Sequence, residues 1–223
     1  MSPAPDLTKP ALRAVILAAG RGTRMRSARP KVLHPLAGRP MVQHLAAALA
    51  ALGPAEIVVV TAPGEGEVAA AVAPAAGAAT VTAAAQDPPL GTGHAVLAAK
   101  PALGSRPGTV LVVYGDTPLL SETTLREMVA RREQGAAVVV VGFRPADTAA
   151  YGRLILDAAG TLARIVEHRD ASAEERAVDL CNSGVMAVDG VLLFDLLAGV
   201  TADNAKGEYY LTDIVAFARG RGL

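Results

Sequence analysis

The sequence predicts an α/β fold: a doubly wound, mostly parallel sheet with helices on both faces. Three observations carry this. Short β-branched runs recur along the chain, segments with apolar residues at helical spacing lie between them, and the runs are almost continuously apolar. Strands buried on both faces need that last property, and alternation with helices is the pattern of βαβ units.

The first expected strand is 14–17. It empties into the glycine-rich turn Leu17-Ala18-Ala19-Gly20-Arg21-Gly22-Thr23-Arg24-Met25, with Pro30-Lys31 soon after. Met41, Leu45, Ala48, Leu49 and Leu52 mark a helix stripe. Further strands are expected at 57–61, 79–82, 109–113 and 136–142. The charge-free stretch 68–85 resembles a membrane span in composition, but Pro74 and Gly77 interrupt it, so it reads as a helix end, a turn and a strand. Leu125, Met128 and Val129 mark a helix with Ser121 as N-cap. Beyond residue 150 the pattern changes. Residues 152–156 and 162–166 form a hairpin around 157–160, Glu167-His168-Arg169-Asp170 leads into a polar helix, and 184–188 is a strand. Asp189 then caps a helix over 191–197.

The chain has 223 residues, enough for one large domain or two small ones. Aromatic residues make up 3% and Trp is absent, so the core must be built from Ala, Val and Leu. A net charge of +0 argues against a general basic field for nucleic acid. The positive charge is local instead, with Arg13, Arg21, Arg24, Arg26, Arg29, Lys31 and Arg39 in one span, which suits a small polyanion. The single cysteine, Cys181, allows no intrachain disulfide, fits a reducing compartment and reads as a small buried hydrophobe. The N-terminal dozen residues lack a signal-peptide core, so a cytoplasmic protein is expected. His34, His44, His94 and His168 lack metal-ligand spacing.

The glycine turn follows a strand, where glycines let the backbone approach phosphate and free N–H groups can cradle its oxygens. Two familiar phosphate loops are excluded. The dinucleotide fingerprint fails at Met25, where a third small residue belongs, and the Walker loop fails because its glycines need four intervening residues followed by Lys-Ser or Lys-Thr. A second strand end carries Tyr114-Gly115-Asp116. Ligands of such sheets bind beyond these carboxyl ends.

Taken in order, the glycine turn, Pro30-Lys-Val-Leu-His34, Gln86, Leu90-Gly-Thr-Gly-His94, Tyr114-Gly-Asp116, Tyr151-Gly-Arg153, Ile165-Val-Glu-His168, Asn182-Ser-Gly184 and Gly207-Glu-Tyr-Tyr-Leu-Thr-Asp213 make the chain recognisable. It resembles the uridyltransferase domain of bacterial N-acetylglucosamine-1-phosphate uridyltransferases, within the sugar nucleotidyltransferases, from about residue 13 onward. The resemblance implies a Rossmann-like nucleotidyltransferase fold with a small sugar-binding β-rich insertion. It divides the chain into a flexible segment 1–12, a nucleotide-binding half at about 13–145 and a sugar-binding half at about 146–223.

It also implies a reaction of UTP with N-acetylglucosamine 1-phosphate that gives UDP-N-acetylglucosamine and pyrophosphate with Mg²⁺, for cell-wall precursor synthesis. Carried over residue by residue, Leu17, Ala18, Ala19 and Gly20 hold the base and ribose, with Gly22 and Thr23 at the phosphates. Arg24 stabilises the leaving pyrophosphate, and Lys31 bridges toward the α-phosphate. Gln86, Gly91 and Thr92 read uracil, beside Tyr114 and Gly115. Asp116 binds Mg²⁺. Gly152, Glu167 and Asn182 bind the sugar, with Glu208 and Tyr210 completing that pocket. The family's second metal ligand is an Asn downstream of the Glu-Tyr-Tyr helix, beyond Leu223, so metal binding is expected to rest on Asp116, phosphates and water. No acetyl-CoA chemistry is expected, because the left-handed β-helix of two-domain members lies outside this sequence. A monomer is one expectation, and the oligomeric state stays open. Two other readings fit the same residues: a nucleotidyltransferase for another sugar 1-phosphate or nucleotide, and a nucleotide-binding module without catalysis.

Overall fold

The structure is a computed structural model that describes residues 10–20, 22, 25–148 and 150–223. The chain begins with β1 (Ala11–Leu17), then, after a 3-10 turn over Lys31–Leu33, a two-residue ribbon of β2 (Pro35–Leu36) and β3 (Arg39–Pro40). Next come α1 (Met41–Ala50), β4 (Glu56–Thr61), α2 (Gly66–Val72), β5 (Thr80–Ala85), α3 (Thr92–Ala98), α4 (Lys100–Leu103), β6 (Gly108–Tyr114), α5 (Glu122–Glu133) and β7 (Val138–Phe143). The remainder is β8 (Arg153–Leu156), β9 (Leu162–Val166), α6 (Ala173–Arg176), β10 (Cys181–Asp189), α7 (Leu193–Leu197) and α8 (Ile214–Gly220).

The main sheet runs β5-β4-β1-β6-β10-β8-β9, with β7 along the other edge of β10. β1 is parallel to both neighbours, with Leu17 opposite Val60 on one side and Tyr114 on the other. β5 is parallel to β4, and β10 is antiparallel to both β6 and β7. Alternate residues of the parallel strands feed two cores. Val15, Val58, Val110, Val112 and Met186 pack with α3, α4, α7 and α8, while Ile16, Ile57, Val59, Leu111 and Ala187 pack with α1, α2 and α5. This is the doubly wound, mostly parallel arrangement that the buried valine runs require.

Local chemistry sets several boundaries. Ser121 caps α5, its Oγ accepting from Thr124 N at 3.1 Å. Asp189 Oδ1 accepts from Val191 N and Leu192 N at 2.9 and 3.2 Å and so closes the turn ahead of α7, which starts at Leu193 with Leu192 at its N-cap; Asp189 is a turn former in place of the helix cap expected of it. Asp157 turns the β8–β9 hairpin by accepting from Ala159 N and Thr161 N at 3.0 and 2.9 Å. α6 is a single turn closed by a capping box between Ser172 and Glu175.

Four other expectations change. Ala11 and Leu12 belong to β1, paired with Gly108 and Thr109, and so fall inside the sheet. The strand expected at 184–188 begins at Cys181, because Cys181 pairs with Phe143 of β7 and Arg153 of β8 and Asn182 pairs with Gly142 of β7, before a shift in register ahead of Met186. Glu208–Tyr210 is not helical: a 3-10 turn covers Leu211–Asp213 and α8 follows. Arg13 lies at the opposite end of β1 from the glycine turn, with 2% exposure, its guanidinium donating to the carbonyls of Leu103, Arg106 and Pro107. It is a sheet anchor, removed from the local cationic cluster.

Gly108 opens β6 at φ +113°, and a Cβ there would collide with the Ala11 carbonyl oxygen. Gly108→Ala is expected to cost about 2–4 kcal/mol, combining backbone strain with overpacking. Urea denaturation at neutral pH measures it.

Candidate functional site

Four parallel strands end on one side of the sheet, and a cavity of about 530 Å³ opens there. From β1 and the turn beyond it come Leu17, Ala18, Ala19, Gly20 and Gly22. Gln86 follows β5, Gly91 and Thr92 start α3, and Tyr114 and Asp116 leave β6. Lys31 and Glu208 complete the polar wall. Met25, Val32, Pro89 and Ala95 also line the cavity as apolar surface, of which Pro89 and Ala95 lie outside the motifs read from the sequence.

Backbone bonds hold these strand ends in place. Ala18 N donates to Val60 O at 2.8 Å, Gln86 N to Thr61 O at 2.9 Å and Gly115 N to Leu17 O at 2.9 Å. Gly115 is not in the cavity lining: a Cβ there would meet Val32, Ala18 and Ile16, so it is a packing glycine behind the wall. Gly22 has φ +54° and passes directly over Lys31. Lys31 Nζ and Asp116 Oδ2 form an ion pair at 2.6 Å, with both side chains partly open to solvent. A cation and an anion therefore face the cavity from segments far apart in sequence. Gln86 Nε2 donates to Gly91 O at 2.9 Å, which fixes the amide and leaves its oxygen as an acceptor.

Gly152, Glu167 and Asn182 form a second wall, outside that lining. Asn182 N donates to Gly152 O at 2.9 Å, and a Cβ on Gly152 would lie 3.5 Å from Glu167 Oε1 and 3.6 Å from Asn182 Cβ. Arg153, 1% exposed, supports this wall from behind by donating to the carbonyls of Thr148, Tyr151 and Arg176. Tyr114 links the two walls. Its ring packs on Gly184, where φ is +87° and a Cβ would lie 2.6 Å from the ring. Burial, and then the charge of Glu167, push its phenol well above the ordinary range.

Burial also raises the Glu167 carboxyl; Lys206 opposes the shift, and Asp170 and Asp213 reinforce it. Burial pushes the Tyr210 phenol up to about 12, with Asp170, Glu167 and Glu208 adding to it, so the hydroxyl stays a donor at neutral pH. Glu208, expected beside the sugar residues, stands in the wall of the main cavity next to Gly91. Tyr210 is 7% exposed, with its hydroxyl toward Asp170 Oδ2 at 3.4 Å. Thr23 and Arg24 lie outside the described residues.

Sequence reasoning marked the segment after Asn204 but missed that it packs against residues 90–93. Tyr209 N donates to Leu90 O at 2.8 Å, Gly93 N to Tyr209 O at 2.7 Å, and Leu211 N to Thr92 Oγ1 at 3.0 Å. The glycines at 91 and 93 are required because a second backbone runs against them: their Cβ atoms would lie 2.7 and 3.0 Å from Tyr209 O. The alternation Gly-Thr-Gly was the available signal for that close approach. Among the described residues no group of three His, Cys, Asp or Glu side chains could hold a metal, and no helix is long and apolar enough to cross a membrane.

The MobA-like NTP transferase domain family matches residues 14–178. The protein named bifunctional protein GlmU from Rhodospirillum rubrum is 61% identical over 94% of this chain and 46% of its own length. Those of Maricaulis maris and Paramagnetospirillum magneticum are 54% and 53% identical, over 94% and 95% of this chain and 46% of each relative. The chain thus spans about half the length of the curated relatives it matches. Solved structures of UDP-glucose pyrophosphorylase, with UDP-glucose and in the apo form, superpose with TM-scores of 0.76 and 0.79 at 17% identity, covering 95% of this chain and 88% of theirs. The chain belongs to the MobA-like NTP transferase family and has its nucleotidyltransferase fold.

The Glu167 environment gives a stability test. A carboxyl whose folded pKa is raised favours the folded state below the unfolded value of 4.5, and that contribution disappears as pH rises through the higher folded value. Glu167→Gln should therefore gain stability relative to the unsubstituted protein at pH 7 but not at pH 4. Urea midpoints at the two pH values check this.

Proposed function

We propose that this chain transfers the uridylyl group of UTP to N-acetylglucosamine 1-phosphate, giving UDP-N-acetylglucosamine and pyrophosphate. One observation carries the reading: a glycine turn, an ammonium–carboxylate pair and a fixed amide acceptor converge on one cavity at the ends of parallel strands. The ordered motif set and the high identity to GlmU relatives support uridylyl and N-acetylglucosamine 1-phosphate among the alternatives.

The sugar phosphate oxygen attacks the α-phosphorus in line, and the bond to the β-phosphate breaks. Both partners are anionic, so alignment and neutralisation supply most of the rate enhancement. The N–H groups of the glycine turn and Lys31 meet the phosphates, with Arg24 placed by the motif alone. The Gln86 oxygen accepts from the N3–H of uracil. Cytosine offers an acceptor there, so CTP is disfavoured. Glu167, Asn182 and the Gly152 backbone pair with sugar hydroxyls and the acetamide, with Tyr210 behind them.

Mg²⁺ fits the donors present. Asp116 is a hard carboxylate facing the cavity, and a cation that keeps waters and shares phosphate oxygens needs no all-protein cage. When bound, it supplies positive charge to the triphosphate. The reaction fits a cytoplasmic enzyme supplying cell-wall precursors.

The test is pyrophosphate release from the 223-residue chain with UTP, N-acetylglucosamine 1-phosphate and Mg²⁺, against EDTA and a panel of other nucleotides and sugar phosphates. Metal-dependent release selective for this pair supports the reading. UTP binding without release would make the chain a nucleotide-binding module.

Asp116→Asn is expected to lower turnover about 100-fold or more without changing the melting temperature. Unchanged turnover would remove the metal role. Lys31→Ala is expected to lower kcat about 10- to 100-fold and to raise KM for UTP, whereas unchanged steady-state kinetics would make it a surface lysine.

A further inference from the structure

Asp170 lies one turn beyond Glu167 and outside the main cavity lining. The backbone from 167 to 171 is a closed turn, in which Asp170 N and Ala171 N both donate to Glu167 O at 3.0 Å. The Asp170 carboxylate leaves that turn and grips both ends of a second segment. Oδ1 accepts from Ala205 N at 2.8 Å, and the Tyr210 hydroxyl reaches Oδ2 at 3.4 Å. Between those ends the segment is rigid. Asn204 Oδ1 accepts from Lys206 N and Glu208 N at 3.1 and 3.2 Å, and its amide donates to Glu208 O at 2.6 Å. The Lys206 ammonium lies 5.7 Å over the Tyr210 ring. The same segment continues into Tyr209, whose N–H and carbonyl bond Leu90 and Gly93.

We propose that Asp170 is a positioning residue that couples the two walls, holding the 204–210 segment against the turn that carries Glu167 and, through Tyr209, setting the 90–93 loop that faces the nucleobase. The proposal rests on the uridyltransferase reading for the identity of the two ligands. A side chain that touches neither ligand then controls affinity for both. It also transmits occupancy: a nucleotide that orders loop 90–93 stiffens segment 204–210 and so presents Glu167 to the sugar phosphate. The bonds form one connected polar chain from Asp170 through Ala205 and Asn204 to Glu208 and Tyr210, so loosening one end of the segment loosens the other.

Three variants test this: Asp170→Ala, Asp170→Asn and Tyr210→Phe. Hydrogen exchange is followed by mass spectrometry in peptides spanning 88–96 and 203–212 of the ligand-free protein. Steady-state kinetics and calorimetric binding of N-acetylglucosamine 1-phosphate, with and without a non-hydrolysable UTP analogue, follow. Asp170→Ala is expected to speed exchange in both peptides and to raise KM for both substrates about tenfold, with kcat within about threefold. It should also abolish any gain in sugar phosphate affinity conferred by the nucleotide. Asp170→Asn is expected to restore most of this, since its amide oxygen still accepts from Ala205 N.

Faster exchange confined to 203–212, or wild-type KM values in Asp170→Ala, would overturn the proposal. If Asp170→Ala melts the whole domain, Tyr210→Phe decides: faster exchange in 88–96 supports the coupling, and unchanged exchange there overturns it. Exchange is read without substrate. A wild-type chain that releases no pyrophosphate would overturn the uridyltransferase reading, and the exchange data would still judge Asp170.

Discussion

The site depends on one constraint: β1 is hydrogen-bonded on both sides in parallel register. With Leu17 opposite Val60 and Tyr114, three strands end at the same height. β5 joins them through Gln86 N on Thr61 O. Parallel strands present their carboxyl ends together, and each must leave the sheet through a turn with free N–H groups. Gly20, Gly22, the Gln86 amide and the Asp116 carboxylate therefore line one cavity. The valine ladder beneath, buried in two cores, keeps that platform rigid.

Charge is handled differently at the two ends of the platform. Arg13, at the far end, and Arg153, behind the second wall, are buried guanidiniums whose hydrogen bonds go to carbonyl oxygens. Such groups organise backbone, because the guanidinium fork reaches several carbonyls at once. In the cavity the arrangement is reversed. Lys31 and Asp116 are partly open to solvent and pair with each other. Glu167 is intermediate, buried enough for its pKa to rise and compensated by a single lysine among carboxyl groups.

Much of this was legible in the sequence, for physical reasons. Uninterrupted β-branched runs can only be strands covered on both faces, and they gave the fold class. Ser121 announced its cap because a short polar side chain before an apolar run has few other uses. Tyr114-Gly115-Asp116 was readable because polar residues directly after a buried strand must emerge at its end. What stayed hidden depends on distant backbone. Asn182 looked like a turn residue, yet strands on either side capture it. Arg13 read as part of the local cationic span, yet Leu103, Arg106 and Pro107 wrap it. Nothing local in Glu208–Tyr210 shows that it runs against Gly91 and Gly93, and nothing near Asp170 shows that its partners are Ala205 and Tyr210.

The contact between Thr92 and Leu211 joins residues 119 positions apart. During synthesis the parallel strands β5, β4, β1 and β6 are complete once Tyr114 has emerged, and by then most of the residues that line the cavity have been made. Loop 90–93 gains its partners in the second half of the chain only when Tyr209 to Leu211 leave the ribosome, almost a hundred residues later. A ligand of this cavity therefore cannot act as a template for the first half of the chain. Its stabilising effect by mass action begins only when nearly all of the 223 residues are in place. Early folding must instead be carried by the alanine–valine–leucine core alone, and the ligand-ready form of the protein is the last to appear.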